Sequence, residues 1–138
     1  MKSLATLIKL QKTYVDEQRL LLARLQEQLD AIEQAIAVLE IQKVREQEVA
    51  RDNEEARATY GAFVKAALDK GKELEKHRQI AEAAIEAARE KLSELFEEQK
   101  RYEIAEEARI EAEEREERRR ETIELDEIGS VRHTRKQG

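Results

Sequence analysis

The sequence predicts an all-α chain, a two-helix antiparallel coiled-coil hairpin whose longer second helix overhangs the open end. Three observations carry this. Charged residues make up 42% of the 138 and aromatic residues only 4%, with no proline. Such a chain lacks the large side chains that fill a compact layered core and has the composition of long helices. Apolar residues then recur every 3.5 positions, which disorder, the competing reading of so much charge, does not produce. Finally, the recurrence lapses in mid-chain, where a chain of this kind can turn.

The first helix is expected over about residues 3–52. Its opening, MKSLATLIKL, is followed at once by polar QKTYVDEQ, which argues against a signal peptide. No apolar run approaches the ~20 residues of a membrane span. A heptad frame with one core position at Ile8, Val15, Leu22, Leu29 and Ile36 has Leu4, Gln11, Gln18, Leu25, Ile32 and Leu39 at the other. That is the signature of a left-handed coiled coil.

Beyond Leu39 the seam positions turn polar, with Lys43, Glu46, Asn53 and Arg57 and only Ala50 suited to a core. The heptad phase continues across this stretch, so phase alone permits a straight-through helix in a parallel dimer. Two features favour folding back. Asp52-Asn53 is the strongest helix-stop signal in the chain, since Asn tolerates the left-handed conformation, and Thr59 can cap a new helix from Tyr60. The turn is therefore placed near 53–58, within a single hairpin domain covering 1–138.

The second helix is expected over about 59–128, with a frayed tail at 129–138 after Gly129-Ser130. Its seam reads Val64, Ala67, Leu74, Ala81, Ile85, Ala88, Leu92, Leu95 and Tyr102, interrupted by Gly71, Arg78 and Gln99. In an antiparallel pair, partner numbers add to a constant. A total of 110 sets Ile8 against Tyr102, Gln11 against Gln99 and Leu25 against Ile85. A total of 103 sets Gln11 on Leu92 and Leu25 on Arg78, a poorer match of like with like.

In the preferred register the first arm is exhausted at Leu4 just as the matching apolar run of the second ends at Tyr102. The seam positions beyond are Glu106, Arg109, Glu113, Glu116 and Arg120, so the second helix overhangs without a partner from its own chain. Glu and Arg at i,i+3 and i,i+4 along it suit a solvated helix that holds itself together. They equally suit a helix inserted into a polar ring of another protein. Ile123, Leu125 and Ile128 have no intrachain partner and read as docking points.

Two further stripes lie off the seam. Val38, Ile41 and Val44, with Tyr60 and Phe63 close across the turn, form either a wider local core at the hairpin tip or a partner-binding patch. Leu7, Tyr14 and Leu21 either broaden the core at the open end or meet a third helix.

Sites for chemistry are not expected, and no cofactor is implied. Gly61 and Gly71 stand alone in helical sequence and make no phosphate loop. His77 and His133 are far apart, no Glu-x-x-His faces inward, and cysteine is absent, which excludes thiolate metal sites and fits a reducing compartment. A net charge of −6 disfavours general nucleic-acid binding. Arg118–Arg120 and the terminal VRHTRK lack interleaved aromatics, so a nucleic-acid arm is a minor reading.

MKSLATLIKLQKTYVDEQR at the start, the polar break, YGAFVKAAL opening the second helix and RYEIAEEARIEAEEREERRRET-ELDEI towards the end together resemble the FliJ family. This is a small coiled-coil component of the bacterial flagellar type III export apparatus, and the resemblance spans essentially the whole chain. It implies a non-enzymatic stalk that enters the hexameric ring of the flagellar export ATPase. It also implies contact with the cytoplasmic domain of the export-gate membrane protein and escort of export chaperones. The implied location is cytoplasmic, peripheral to the inner membrane at the flagellar basal body, without membrane insertion. Carried onto this sequence, the ring-facing residues are Leu4, Leu7, Ile8, Tyr102, Arg109, Arg115, Ile123, Leu125 and Ile128. The gate-facing residues are Gln34, Val38, Ile41, Arg45, Tyr60 and Phe63, with Ile41 and Arg45 departing from the family's aromatic tendency there. A structural coiled-coil dimer serving as a spacer is the alternative.

Overall fold

The computed structural model describes residues 3–137 and contains two α-helices, α1 (Leu4–Asp52) and α2 (Glu54–Gln137), with no strand among the described residues. The chain is an all-α helical hairpin. Its contacts divide into two units, one of Tyr14–Glu94, the other joining the α1 residues up to Thr13 to α2 from Leu95 onward. The single expected hairpin domain is thus resolved into two compact parts.

In the Tyr14–Glu94 unit the helices meet at Asn53, the one residue between them. The six-residue turn expected at 53–58 is absent because the segment EEARA is helix-favouring and Asn53 starts the helix early. Its Oδ1 accepts from the amides of Glu55 at 2.9 Å and Ala56 at 3.4 Å. This is a side-chain N-cap, followed by acidic Glu54 and Glu55 in the first turn, which suits the helix dipole. Asn53 therefore stops the chain through its side chain rather than through a left-handed backbone, since no non-glycine residue described has positive φ. Thr59, expected as the cap, lies inside α2 and donates to the carbonyl of Ala56.

The core of this unit is a chain of small clusters. Leu29, Ala81 and Ile85 are buried, with Leu22, Leu25 and Ile32 packed against them. Nearer the turn, Leu39, Ala67 and Leu74 are buried, with Ala35, Ile36 and Phe63 against them. The expected seam residue Val64 is 45% exposed, and Phe63 takes the inward position instead.

Register shows in two kinds of contact. Gln18 Nε2 donates to the carbonyl of Ala88 at 3.1 Å, a pair of numbers adding to 106. A methyl built on Gly71 would lie 3.8 Å from Leu39 Cδ2, a pair adding to 110. Side chains on both helices lean towards their own N-termini, so in an antiparallel pair touching side chains add to more than residues level along the backbone. The hydrogen bond thus centres the backbone register on Asn53, while the approach of Gly71 to Leu39 adds to the 110 expected for touching side chains. Arg78, an expected seam interruption, donates to Glu75, and its buried Nε has no hydrogen-bond partner. That hydrogen bond to Glu75, with attraction to Glu75, Glu82 and Glu33 across on α1, holds its guanidinium above the ordinary arginine value.

In the second unit, Ser3 caps α1 by accepting from the amide of Thr6 at 3.2 Å. Gln11 is buried and donates to the carbonyl of Leu95 at 3.0 Å, again adding to 106. Gln99, its expected partner, donates to Glu103 on its own helix instead. Helix α2 does not fray at Gly129-Ser130 but continues to Gln137. Gly129 does not take the left-handed backbone that would end a helix, and Thr134 donates to the carbonyl of Ser130. Gly138, the last residue of the expected tail, lies outside the described residues.

Candidate docking surfaces

In the unit built from the N-terminal stretch of α1 and the C-terminal part of α2, burial ends where α1 ends. Leu4, Leu7, Ile8 and Tyr102 are half-buried. From Glu107 to Lys136 every side chain is exposed except that of Glu116, which is half-buried. The apolar residues Ile123 (44%), Leu125 (68%) and Ile128 (51%) stand in solvent, joined by Ile104, Ile110 and Val131, which the sequence did not single out. Their signal was present as isolated apolar letters in charged sequence, without a period to flag them.

The ion pairs of Arg109, Arg115 and Arg119 all lie within this part of α2. Arg109 bridges Glu106 at 2.7 Å and Glu113 at 3.0 Å, Arg115 pairs with Glu111 at 2.8 Å, and Arg119 pairs with Glu116 at 2.8 Å. The hydrogen bonds from Arg109, Arg115 and Arg119 hold Glu106, Glu111 and Glu116 below the ordinary carboxylate value. Conversely, a hydrogen bond to Glu98 raises the Tyr102 hydroxyl. Charge here supports the helix along its own length and leaves the apolar residues uncovered.

In the Tyr14–Glu94 unit the six gate-facing candidates fall into separate places. Tyr60 and Phe63 stack at 6.3 Å and line a groove of about 400 Å³ with Glu40, Lys43, Val44, Gln47, Val64 and Leu68. Val38, Ile41 and Arg45 line a different groove, with Gln42 and Glu46 of the same helix. Gln34 is exposed. At 3.6 residues per turn Val38 and Val44 lie about 120° apart around α1, so the every-third-residue stripe winds from one groove to the other. Val38, Ile41 and Val44 are each more than half exposed, which leaves them outside the core at the tip. The α1 side of the aromatic groove, Glu40, Lys43 and Gln47, was missed because its polar letters carry no apolar period.

No group of His, Asp or Glu among the described residues could hold a metal ion. Among the same residues no helix is long and apolar enough to cross a membrane. A comparison with known families matches the flagellar FliJ protein over residues 1–138. The chain belongs to the FliJ family. Membership makes this FliJ-family chain a flagellar export-related protein. No curated protein and no solved structure matches it.

Proposed function

We propose that this FliJ-family chain is a non-enzymatic stalk of the flagellar export apparatus. Its overhang enters the hexameric ring of the export ATPase, and its turn-proximal surface meets the cytoplasmic domain of the export-gate membrane protein. In this reading it also escorts export chaperones and works peripherally at the inner membrane by the basal body. One observation carries the proposal. The overhang of α2 is held by its own Arg–Glu pairs and presents Ile123, Leu125 and Ile128 to solvent, as a helix made to be gripped would. Uneven charge around such a helix favours different ring subunits at different angles, so nucleotide-driven changes in the ring bias its orientation. For the gate, the groove holding Tyr60 and Phe63 offers an apolar floor with polar sides.

The test measures the ATPase rate of the export ATPase with the full chain, with a chain ending at Tyr102, and with the full-length triple variant Ile123→Ser, Leu125→Ser, Ile128→Ser. Stimulation is expected to fall strongly in both altered proteins. Equal stimulation by all three removes the overhang from the mechanism.

A further inference from the structure

The turn between α1 and α2 is a single residue, and side chains supply most of its hydrogen bonds. Arg57, one turn into α2, reaches back so that Nε donates to the carbonyl of Ala50 at 2.8 Å and Nη2 to that of Arg51 at 3.1 Å. Asn53 takes up the amides of Glu55 and Ala56 on its side chain and the amide of Arg57 on its carbonyl at 3.1 Å. Every helix end leaves four amides or four carbonyls unpaired, and a break at residue 53 exposes both sets together. Asn53 and Arg57 answer part of that loss.

The alternative that removes the loss altogether is a helix running straight through. Nothing in the sequence forbids it: no glycine or proline occurs before Gly61, Glu54–Ala58 favours helix, and the heptad phase is continuous across residues 43–57. Backbone register is centred on Asn53, with carbonyl contacts at pairs adding to 106 in both units. Two straightened chains laid antiparallel about a two-fold axis at Asn53 would therefore recreate each α1–α2 pairing, now between copies. The contact is isologous and closes on itself, and it sets Asn53 against its own copy, where a seam Asn fixes register.

We propose that a second copy of this chain is a partner for the opened hairpin in a helix-exchanged antiparallel dimer, and that Asn53 and Arg57 are the clasp that holds the chain closed. Since the packed seam is common to both forms, the balance between them rests on the clasp, on the backbone hydrogen bonds regained through residue 53, and on protein concentration. The proposal is independent of the role in export.

The chain has no cysteine, so Gln28→Cys and Ala83→Cys, both at exposed positions, give single labelling sites. Chains carrying a donor dye on Gln28→Cys are mixed with chains carrying an acceptor dye on Ala83→Cys. Energy transfer and molar mass are then followed against concentration. The chain with its natural clasp is expected to be monomeric, without transfer between chains. Asn53→Ala with Arg57→Ala is expected to double the mass and produce transfer between chains at unchanged helix content. Asn53→Ala alone should lower the concentration at which dimer appears by on the order of tenfold or more, because each dimer releases two caps. Adding Glu54→Pro should restore the monomer. Proline is tolerated at the first position of α2 and suits the extended backbone of the cap residue before it, but it breaks a continuous helix. A clasp variant that stays monomeric at all soluble concentrations overturns the proposal. So does a dimer without transfer between chains, or one that survives Glu54→Pro.

Discussion

Helix α2 contains two stretches that solve the same problem differently. Between Ala67 and Ala88 its inward positions include buried alanine, leucine and isoleucine, and the helix is held by burial against α1. Between Glu107 and Lys136 the corresponding positions are largely charged and every side chain but that of Glu116 is exposed, so the helix is held by contacts with itself. The difference teaches how a helix can be kept long without being kept in a core. Short isolated helices are marginal in water, and most helical stability in proteins comes from packing an apolar face. A stretch that must stay free to meet a partner needs ion pairs at i,i+3 and i,i+4 instead.

The strongest way to break that comparison is to remove one apolar side chain that α1 packs on the first stretch and one that the second stretch carries itself. Leu29 is 8% exposed and lies in the cluster with Ala81 and Ile85 of α2, so Leu29→Ala should cost about 2–3 kcal/mol, the low end for buried leucine because a two-helix seam is open at its sides. Ile123→Ala, at 44% exposure, should stay within about 0.5 kcal/mol, as surface changes do. Urea unfolding followed by circular dichroism measures both. A loss at Ile123 comparable to that at Leu29 would mean that the overhang has a partner within the molecule.

A smaller effect, of opposite sign, comes from the glycines. A methyl on Gly71 meets Leu39 Cδ2 at 3.8 Å and Lys43 Nζ at 4.0 Å, ordinary contact distances, while one on Gly129 meets nothing within 4 Å. Alanine at either site gains helix propensity of roughly 0.5–1 kcal/mol. Gly71→Ala should raise the stability to global unfolding by that amount, because α2 there forms with the seam. Gly129→Ala should slow hydrogen exchange around residue 129 and leave the global midpoint unchanged. A rise in the global midpoint with Gly129→Ala would show that the two stretches unfold as one.

How much of this was legible depends on what each residue answers to. The seam was readable because burial imposes a period, and Val15, Leu29, Ile85 and Ala88 answer to it directly. The overhang was readable from the same count, since a seam that turns to Glu and Arg has no use for a neighbour. The turn was less so. Asn53 announced a stop, but the stop works through its side chain, and Arg57 could not be seen as a carbonyl partner because no local rule ties an arginine to a helix end seven residues back. Phe63 took the place of Val64 beside Ala67 and Leu74, which keep the frame, and the period alone did not show which of the two neighbours would pack. The candidate surfaces near the turn were the least legible, as residues three apart looked like one stripe and the helix wound them into two grooves.

The finest test of the self-supporting stretch reads single carboxylates. Glu106, Glu111 and Glu116 are held below the ordinary value of 4.5, in each case first by the hydrogen bond from an arginine on the same helix. A lowered carboxylate contributes stability that is complete above its unfolded value and is lost as pH falls through its folded one. These three pairs should therefore be intact at neutral pH and let go only in the acid range below 4.5. Titration of the side-chain carboxyl carbons by NMR should find all three low. Arg109→Gln should return Glu106 to the ordinary range and leave Glu111 and Glu116 low, because Arg115 and Arg119 still bind them. If Glu106 stays low without Arg109, another hydrogen-bond donor or positive charge reaches it, and the helix is not self-supporting at the residue where α1 runs out.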